Sequence, residues 1–512
     1  MKANSRIIFN TGVLYLKMFI TMAFTLLSTR WILSALGTDD FGLFNLIAGL
    51  VAMLSFLNTA MAVGTQRNLS FQLGKNDFKA LKETFLCSIV IHVLLGLIIV
   101  FFCETIGRFF LDRSLNVPEG RAEDVLLLLH IITASMFITI IGVPFLAAIN
   151  SHEHMIVIAA VNIFEALWKF SFAFYLFFYS GDRLILYAIL ILVMSLISFL
   201  AMLFFCLKKY PEISFLRRDN LSVTRIKFLL SYSLWNVIGA FGLLLKGQGI
   251  ALLFNSFAGV AVNAAYGVAQ QVNGQLSFFS NSIIRAFNPQ IISSEGENKH
   301  DRMLYLSGMS CKVSTMLMLV VVVPLMFNLD FVLNLWLKNV PVHAVPFTFL
   351  ILINSVFFQM YHGLELAIHA DGRIRNFSLV ACTINLMVIP LGYLFLRMGC
   401  PLEIVIVGSI LCELGNMYNV AYHVEKYCDL KKKFFYKTMV LPMSFLFLVA
   451  SLLCFFIVNG ESGWIKLVCC YVINTICLFL LFFIIVLNHS EKKNISSLIF
   501  NSKILKKIYK RN

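Results

Sequence analysis

Charge is what this sequence has least of. Of its 512 residues only 13% are Asp, Glu, Lys or Arg, about half the share usual in a soluble protein. Hydrophobic residues make up 60%, and Phe alone occurs 50 times. The deficit excludes a soluble globular enzyme and a disordered chain. Cysteine chemistry is missing too. The 12 Cys show no C-x-x-C spacing and fall mostly inside apolar runs, so they read as packing rather than as disulfides or a zinc site. No glycine-rich phosphate loop, His/Glu metal set or Ser/His/Asp constellation is present, and the longest outer loop covers only about 110–124. No catalytic residue, metal or cofactor is expected, and hence no enzyme. The formal charge of +15 would point to nucleic acid in a soluble protein. Here it depends on where the cations sit.

What is present is a succession of apolar runs. A spanning helix needs roughly 20 such residues, and fourteen runs qualify: 8–36, 41–63, 84–110, 125–149, 155–179, 184–207, 227–254, 258–285, 304–329, 342–369, 375–396, 402–424, 436–458 and 464–487. None has the alternating period of a membrane β-strand. Of the 41 Lys and Arg, 29 lie in segments on the side of the N-terminus, seven on the other side and five within runs. That bias orients a multi-pass protein with both termini cytoplasmic and leaves no argument for a nucleic-acid partner. The first run is too long for a cleavable signal peptide. The expected division is a six-helix lobe over 1–209, a basic linker 210–226, a second lobe 227–427, two appended helices within 428–487 and a basic tail 488–512. The tail suits anionic lipid headgroups.

A faint internal duplication supports two lobes. Gly37 to Phe41-Gly42, with Asn45 and Gly64-Thr-Gln66-Arg67 beyond, has a counterpart in Gly259 to Tyr266-Gly267, with Asn288-Pro-Gln290 beyond. The units lie six spans apart and therefore run the same way, as parallel repeats do. The fold class expected is an all-α integral membrane protein of about 14 helices: two pseudo-symmetric six-helix lobes and two C-terminal helices.

Charges inside spans are costly and usually face a cavity or a partner. Lys17 shares a helical face with Thr21, Thr25 and Ser28. Arg30 lies near the outer end, where it either lines a cavity or snorkels. Lys246 sits between Gly242 and Gly249, small residues that leave room for a neighbouring helix or an anionic ligand. With Lys312 these cations outweigh Glu365 and Glu413, the two acids read as candidates for a coupling H⁺ or Na⁺. Glu165 with Lys169, and Glu104 with Arg108, have the spacing of ion pairs. The eighth span carries Asn263, Gly267, Gln270, Gly274, Ser277 and Asn281, with Gln271, Asn273 and Gln275 beside them. Such a stripe serves either hydroxyl-rich ligands or interhelical packing.

The residues Arg30-Trp-Ile-Leu-Ser-Ala-Leu-Gly37, Asp40-Phe-Gly-Leu-Phe-Asn45 and Thr65-Gln-Arg-Asn-Leu-Ser-Phe71-Gln-Leu-Gly74 resemble the start of bacterial polysaccharide-export flippases of the multidrug/oligosaccharidyl-lipid/polysaccharide exporter superfamily. Asn273-Gly-Gln-Leu-Ser-Phe-Phe279, Asn288-Pro-Gln290 and Leu335-Trp-Leu-Lys-Asn-Val-Pro341 extend the resemblance into the second lobe. It implies a translocase, in the bacterial inner membrane, that carries undecaprenyl-pyrophosphate-linked oligosaccharide outward by alternating access and works beside polysaccharide assembly machinery. On that expectation Lys17, Arg30 and Lys246 neutralise the pyrophosphate, and Asn263, Gln270, Asn273 and Asn281 meet the sugar. Only Arg30 falls in a well-matched motif. The alternatives are a cation-coupled multidrug exporter of the same superfamily and a membrane-embedded polysaccharide polymerase.

Overall fold

The computed structural model describes residues 3–53, 55–108, 121–214, 221–337, 340–458, 463–489 and 491–492, and for some helical residues, Arg30 and Asn45 among them, the backbone alone. Most of the expected outer loop, part of the linker and nearly all of the basic tail lie outside the described residues.

Fourteen long helices stand among the described residues; twelve match expected runs one to one, while the first, kinked at Gly37, covers run 8–36 and most of 41–63, and the second takes up the remainder of 41–63 and continues to Lys75. The fourteen are α1 (Ala3–Met53), α2 (Ser55–Lys75), α3 (Phe78–Phe102), α4 (Ala122–Ser151), α5 (Met155–Tyr175), α6 (Arg183–Lys209) and α7 (Val223–Ala258). Then follow α8 (Val260–Gly296), α9 (His300–Met326), α10 (Ala344–Asp371), α11 (Arg375–Arg397), α12 (Glu403–Cys428), α13 (Leu441–Val458) and α14 (Trp464–Leu481). Among the described residues no strand occurs. Among the described residues eleven helices are long and apolar enough to cross a membrane, and α1 holds a shorter apolar stretch, Gly12–Thr25. Helix α8 is not among the eleven, because amides and glycines dilute its apolar content.

The duplication is exact enough to count. Gly37 kinks α1 with φ 80° and ψ 174°, and Gly259 takes φ 81° at the α7–α8 junction. They stand 222 positions apart. So do Asn76 and Asn298, both at φ 56° in the turns before α3 and α9, and so do the first residues of α3 and α9 and of α4 and α10. Only glycine enters the left-handed region freely, and Asn is the next most tolerant residue.

Gly74 and Gly296 share the same spacing and make a reciprocal contact. A Cβ on Gly74 would lie 2.1 Å from the Ser293 carbonyl oxygen, and one on Gly296 would lie 2.3 Å from that of Phe71. Ser293 and Phe71 are again 222 positions apart. Each glycine thus admits the backbone of the other repeat's equivalent turn.

The chain forms two compact units. One comprises Phe9–Phe241 with Ile292–Lys299, the other Met1–Ile8, Gly242–Ile291 and His300–Asn512. The division falls inside α7 rather than in the linker before it, because the first half of α7 belongs to the first core: Leu229 packs with Met61, Cys87 and Ile91. The first unit also buries Leu43, Ile47, Ile99, Leu128 and Leu184 together. At one end of it Arg121 ties Asp40 at 2.9 Å, Asp124 at 3.0 Å, and Asp182. Its hydrogen bonds to Asp124 and Asp182 push the guanidinium pKa above its usual value. In the second unit His343, 222 positions on, meets Glu403 at 2.8 Å.

The second core contains Ile250, Phe254, Phe347 and Val405, with Phe254 stacked on Phe347 at 4.8 Å between ring centroids. Helices α13 and α14 have no counterpart in the first repeat. They pack on α9, where Tyr471 donates to the Val321 carbonyl at 3.2 Å and Asn474 to that of Leu319 at 3.4 Å.

Candidate substrate-binding cavity

A cavity of about 250 Å³ lies within the second unit. Helix α7 supplies Lys246, Gly247 and Ile250, and α8 supplies Tyr266, Gln270, Asn273 and Ser277. Helix α10 contributes Asn354, Ser355 and Phe358, and α12 contributes Ser409 and Glu413. The spacing explains the convergence. Tyr266, Gln270, Asn273 and Ser277 recur every three or four residues and so share one face, as do Ser409 and Glu413 four apart.

The cation and the acid pair. Lys246 donates to Glu413 Oε1 at 2.7 Å, and the Tyr361 hydroxyl donates to Oε2 at 2.6 Å. Lys246 and Glu413 are both buried. Burial of two charges is tolerated only when geometry and further hydrogen bonds repay the lost hydration, and here both carboxylate oxygens are satisfied. The remaining lining is uncharged. Ser355 donates to Asn273 Oδ1 at 2.5 Å, Gln270 Nε2 to the Tyr266 hydroxyl at 2.6 Å, and Ser409 to Asn354 Oδ1 at 3.2 Å.

Of the residues singled out from sequence, Lys246, Gln270, Asn273 and Glu413 therefore come together. Asn263 and Asn281 are half-buried elsewhere on α8, and Lys17 is half-buried on α1. The side chain of Arg30 lies outside the described residues. Glu365 is held on its own helix by His362 at 2.9 Å and His369 at 3.7 Å. Lys312 is a structural cation: it is 2% exposed and donates to both Glu491 oxygens, at 2.8 and 2.9 Å. Glu104 meets His130 at 2.7 Å rather than Arg108. Among the described residues Glu165 and Lys169 form no ion pair.

The glycines divide cleanly. A Cβ on Gly242 would lie 2.8 Å from the Cys382 backbone, and one on Gly249 would lie 2.4 Å from Ile389. The small residues flanking Lys246 thus admit α11, not a ligand. Gly267 and Gly274 face open space and are not packing contacts.

Sequence reading missed Tyr361, Asn354, Ser355 and Ser409, although polar residues at helical spacing in α10 and α12 were the available signal. It also missed Arg285. The Asn288-Pro-Gln290 break ended the expected span at that residue, whereas α8 continues to Gly296. Arg285 is exposed, on the face that also carries Gln271, Gln275 and Phe278, all exposed. A helix with amides and an arginine on one exposed face is unsuited to lipid there.

Comparison with known proteins agrees with this architecture. Residues 14–175 match the family model MatE. The uncharacterised membrane protein EpsK of Bacillus subtilis is 21% identical over 476 residues, which is 91% of this chain and 92% of EpsK. An outward-facing multidrug resistance MATE family transporter of the MOP superfamily superposes with a TM-score of 0.74 at 14% identity, over 84% of this chain and 96% of its own. A MOP superfamily transporter from Pyrococcus furiosus, described by the reverse polarity of its binding pocket, gives 0.70 at 13% identity over 83% and 97%. These likenesses show the fold: the chain is a multi-pass helical protein folded like the MATE transporters it superposes on. The family match lies within the first repeat, over residues 14–175, and the polar cavity lies in the second.

Proposed function

We propose that the protein translocates an undecaprenyl-pyrophosphate-linked oligosaccharide from the inner to the outer leaflet of the bacterial cytoplasmic membrane, for surface polysaccharide assembly. The observation that carries this reading is the charge balance of the cavity: Lys246 and Glu413 cancel, and amides and hydroxyls line the rest. A hydroxyl-rich glycan exchanges hydrogen bonds with such walls. An organic cation finds no unpaired carboxylate there, because Glu413 is taken by Lys246 and Tyr361. The cation distribution supports cytoplasmic termini.

The lipid tail stays in the bilayer throughout, so the protein has to accommodate only the head. Lys17 and Arg30 remain candidates for the diphosphate in the first unit, and exposed Arg285 is the candidate in the second. Movement follows the alternating access associated with this fold and needs no covalent chemistry.

The test is translocation itself. The protein reconstituted into liposomes with lipid-linked repeat units should move their glycan to the opposite leaflet, where a membrane-impermeant glycosidase cleaves it. A deletion strain should accumulate those units on the inner leaflet and lose surface glycan. Normal surface glycan in the deletion strain, together with export of an organic cation, would reject the reading in favour of drug export.

A further inference from the structure

We propose that the cavity between α7, α8, α10 and α12 is a subsite for one uncharged pyranose residue of the carried glycan, and that the diphosphate binds elsewhere. The inference rests on the transport reading for its biological ligand. Its physical basis is independent of that reading.

Size is the first constraint. Pockets for drug-sized ligands run to roughly 300–1,000 Å³, and this one holds about 250 Å³. That is below the drug-sized range and suits one sugar ring, and because the cavity is open the rest of a glycan can extend beyond it.

Charge is the second. A diphosphate seeking Lys246 must displace a carboxylate at 2.7 Å and leave Glu413 buried beside a second anion. Both steps are costly where water is scarce. A cation meets the mirror-image difficulty at Lys246. A neutral ligand disturbs neither charge and can hydrogen-bond to both.

Chemistry is the third. Each sugar hydroxyl both donates and accepts, so a matching site must offer both functions. Asn273 and Gln270 do so through their amides, and Ser355 through its hydroxyl. The Phe358 and Tyr266 rings give the walls an apolar component suited to the C–H face of a pyranose. Because Ser355 already bonds Asn273, and Gln270 already bonds Tyr266, a sugar exchanges existing bonds for new ones. Weak binding follows, which suits a site that must also release its load.

The experiment is saturation-transfer difference NMR on the full-length protein in nanodiscs. The probes are D-glucose, N-acetyl-D-glucosamine, D-galacturonate and inorganic pyrophosphate. A neutral hexose should receive saturation, galacturonate should receive less, and pyrophosphate should not displace the hexose. Gln270→Leu, whose one hydrogen bond is local, and Asn273→Leu should each weaken hexose binding about tenfold, the loss of roughly one buried hydrogen bond. Thermal unfolding of each variant checks that it has folded, and the unfolding-competent one of the two decides the result. No transfer to either neutral hexose overturns the subsite. So does transfer that survives these substitutions, or displacement by pyrophosphate that depends on Lys246. Sugar binding without translocation of lipid-linked units keeps the subsite and rejects the transport reading; translocation without sugar binding here does the reverse.

Discussion

Glu413 on α12 accepts the Lys246 ammonium through one carboxylate oxygen, at 2.7 Å, and the Tyr361 hydroxyl through the other, at 2.6 Å. Lys246→Met leaves that carboxylate buried and unpaired, which costs about 3–5 kcal/mol. Glu413→Leu strands the ammonium to a similar extent. The double variant should recover most of the loss, since a buried pair is often replaceable by apolar residues of similar volume. Thermal unfolding in nanodiscs measures all three, and additive losses in the double variant would show that the pair is not coupled.

Lys312 and Glu491 obey the same rule at a purely structural site. Glu491 lies beyond α14, yet it reaches a lysine well inside α9. Glu491→Ala should destabilise the protein by about 3–5 kcal/mol, although Glu491 lies outside the cavity. Lys312→Met combined with Glu491→Leu should restore stability. Sugar binding in the double variant should match the parent.

Gly74 and Gly296 should be intolerant to the same degree, because each meets a main-chain carbonyl that has no rotamer to yield. Either glycine changed to Ala should cost about 1–3 kcal/mol as overpacking and lower the yield of folded protein. Gly274→Ala is the control. Its surroundings are open, so the folded yield should be unchanged.

Gly37 and Gly259 test backbone conformation without crowding. Both lie at positive φ, and a Cβ at either meets nothing within 4 Å. Alanine there should cost about 1–2 kcal/mol from strain alone, equally at the two positions. Asn76→Gly and Asn298→Gly, in the paired turns, should be neutral or slightly stabilising. Unequal effects across either pair, measured by chemical denaturation in mild detergent, would mean that the two junctions are not equivalent.

The sequence by itself determined that the chain spans a membrane, and it located twelve of the fourteen long helices described. Twenty-residue apolar runs have one stable outcome in lipid, where every backbone group must be bonded within the segment. It also hinted at the repeat, because Gly37 and Gly259 occupy turns that few other residues can enter. Helical spacing on α8 put Gln270 and Asn273 on one polar face, which is a local property of any helix.

Only the tertiary structure decided which charges are partnered. Lys246 and Glu413 are 167 positions apart, and Lys312 and Glu491 are 179 apart. No periodicity within a helix encodes either meeting. The excess of cations over acids counted within the spans overstated the free positive charge by one, since Lys312 is neutralised by Glu491 from outside the spans, whereas Lys246 is held by Glu413, an acid already in that count. The same holds for the glycines: Gly249 packs against α11 and Gly274 faces open space, although their sequence surroundings look alike. Ion pairing and close packing depend on what stands opposite a residue, and that is settled when the helices assemble.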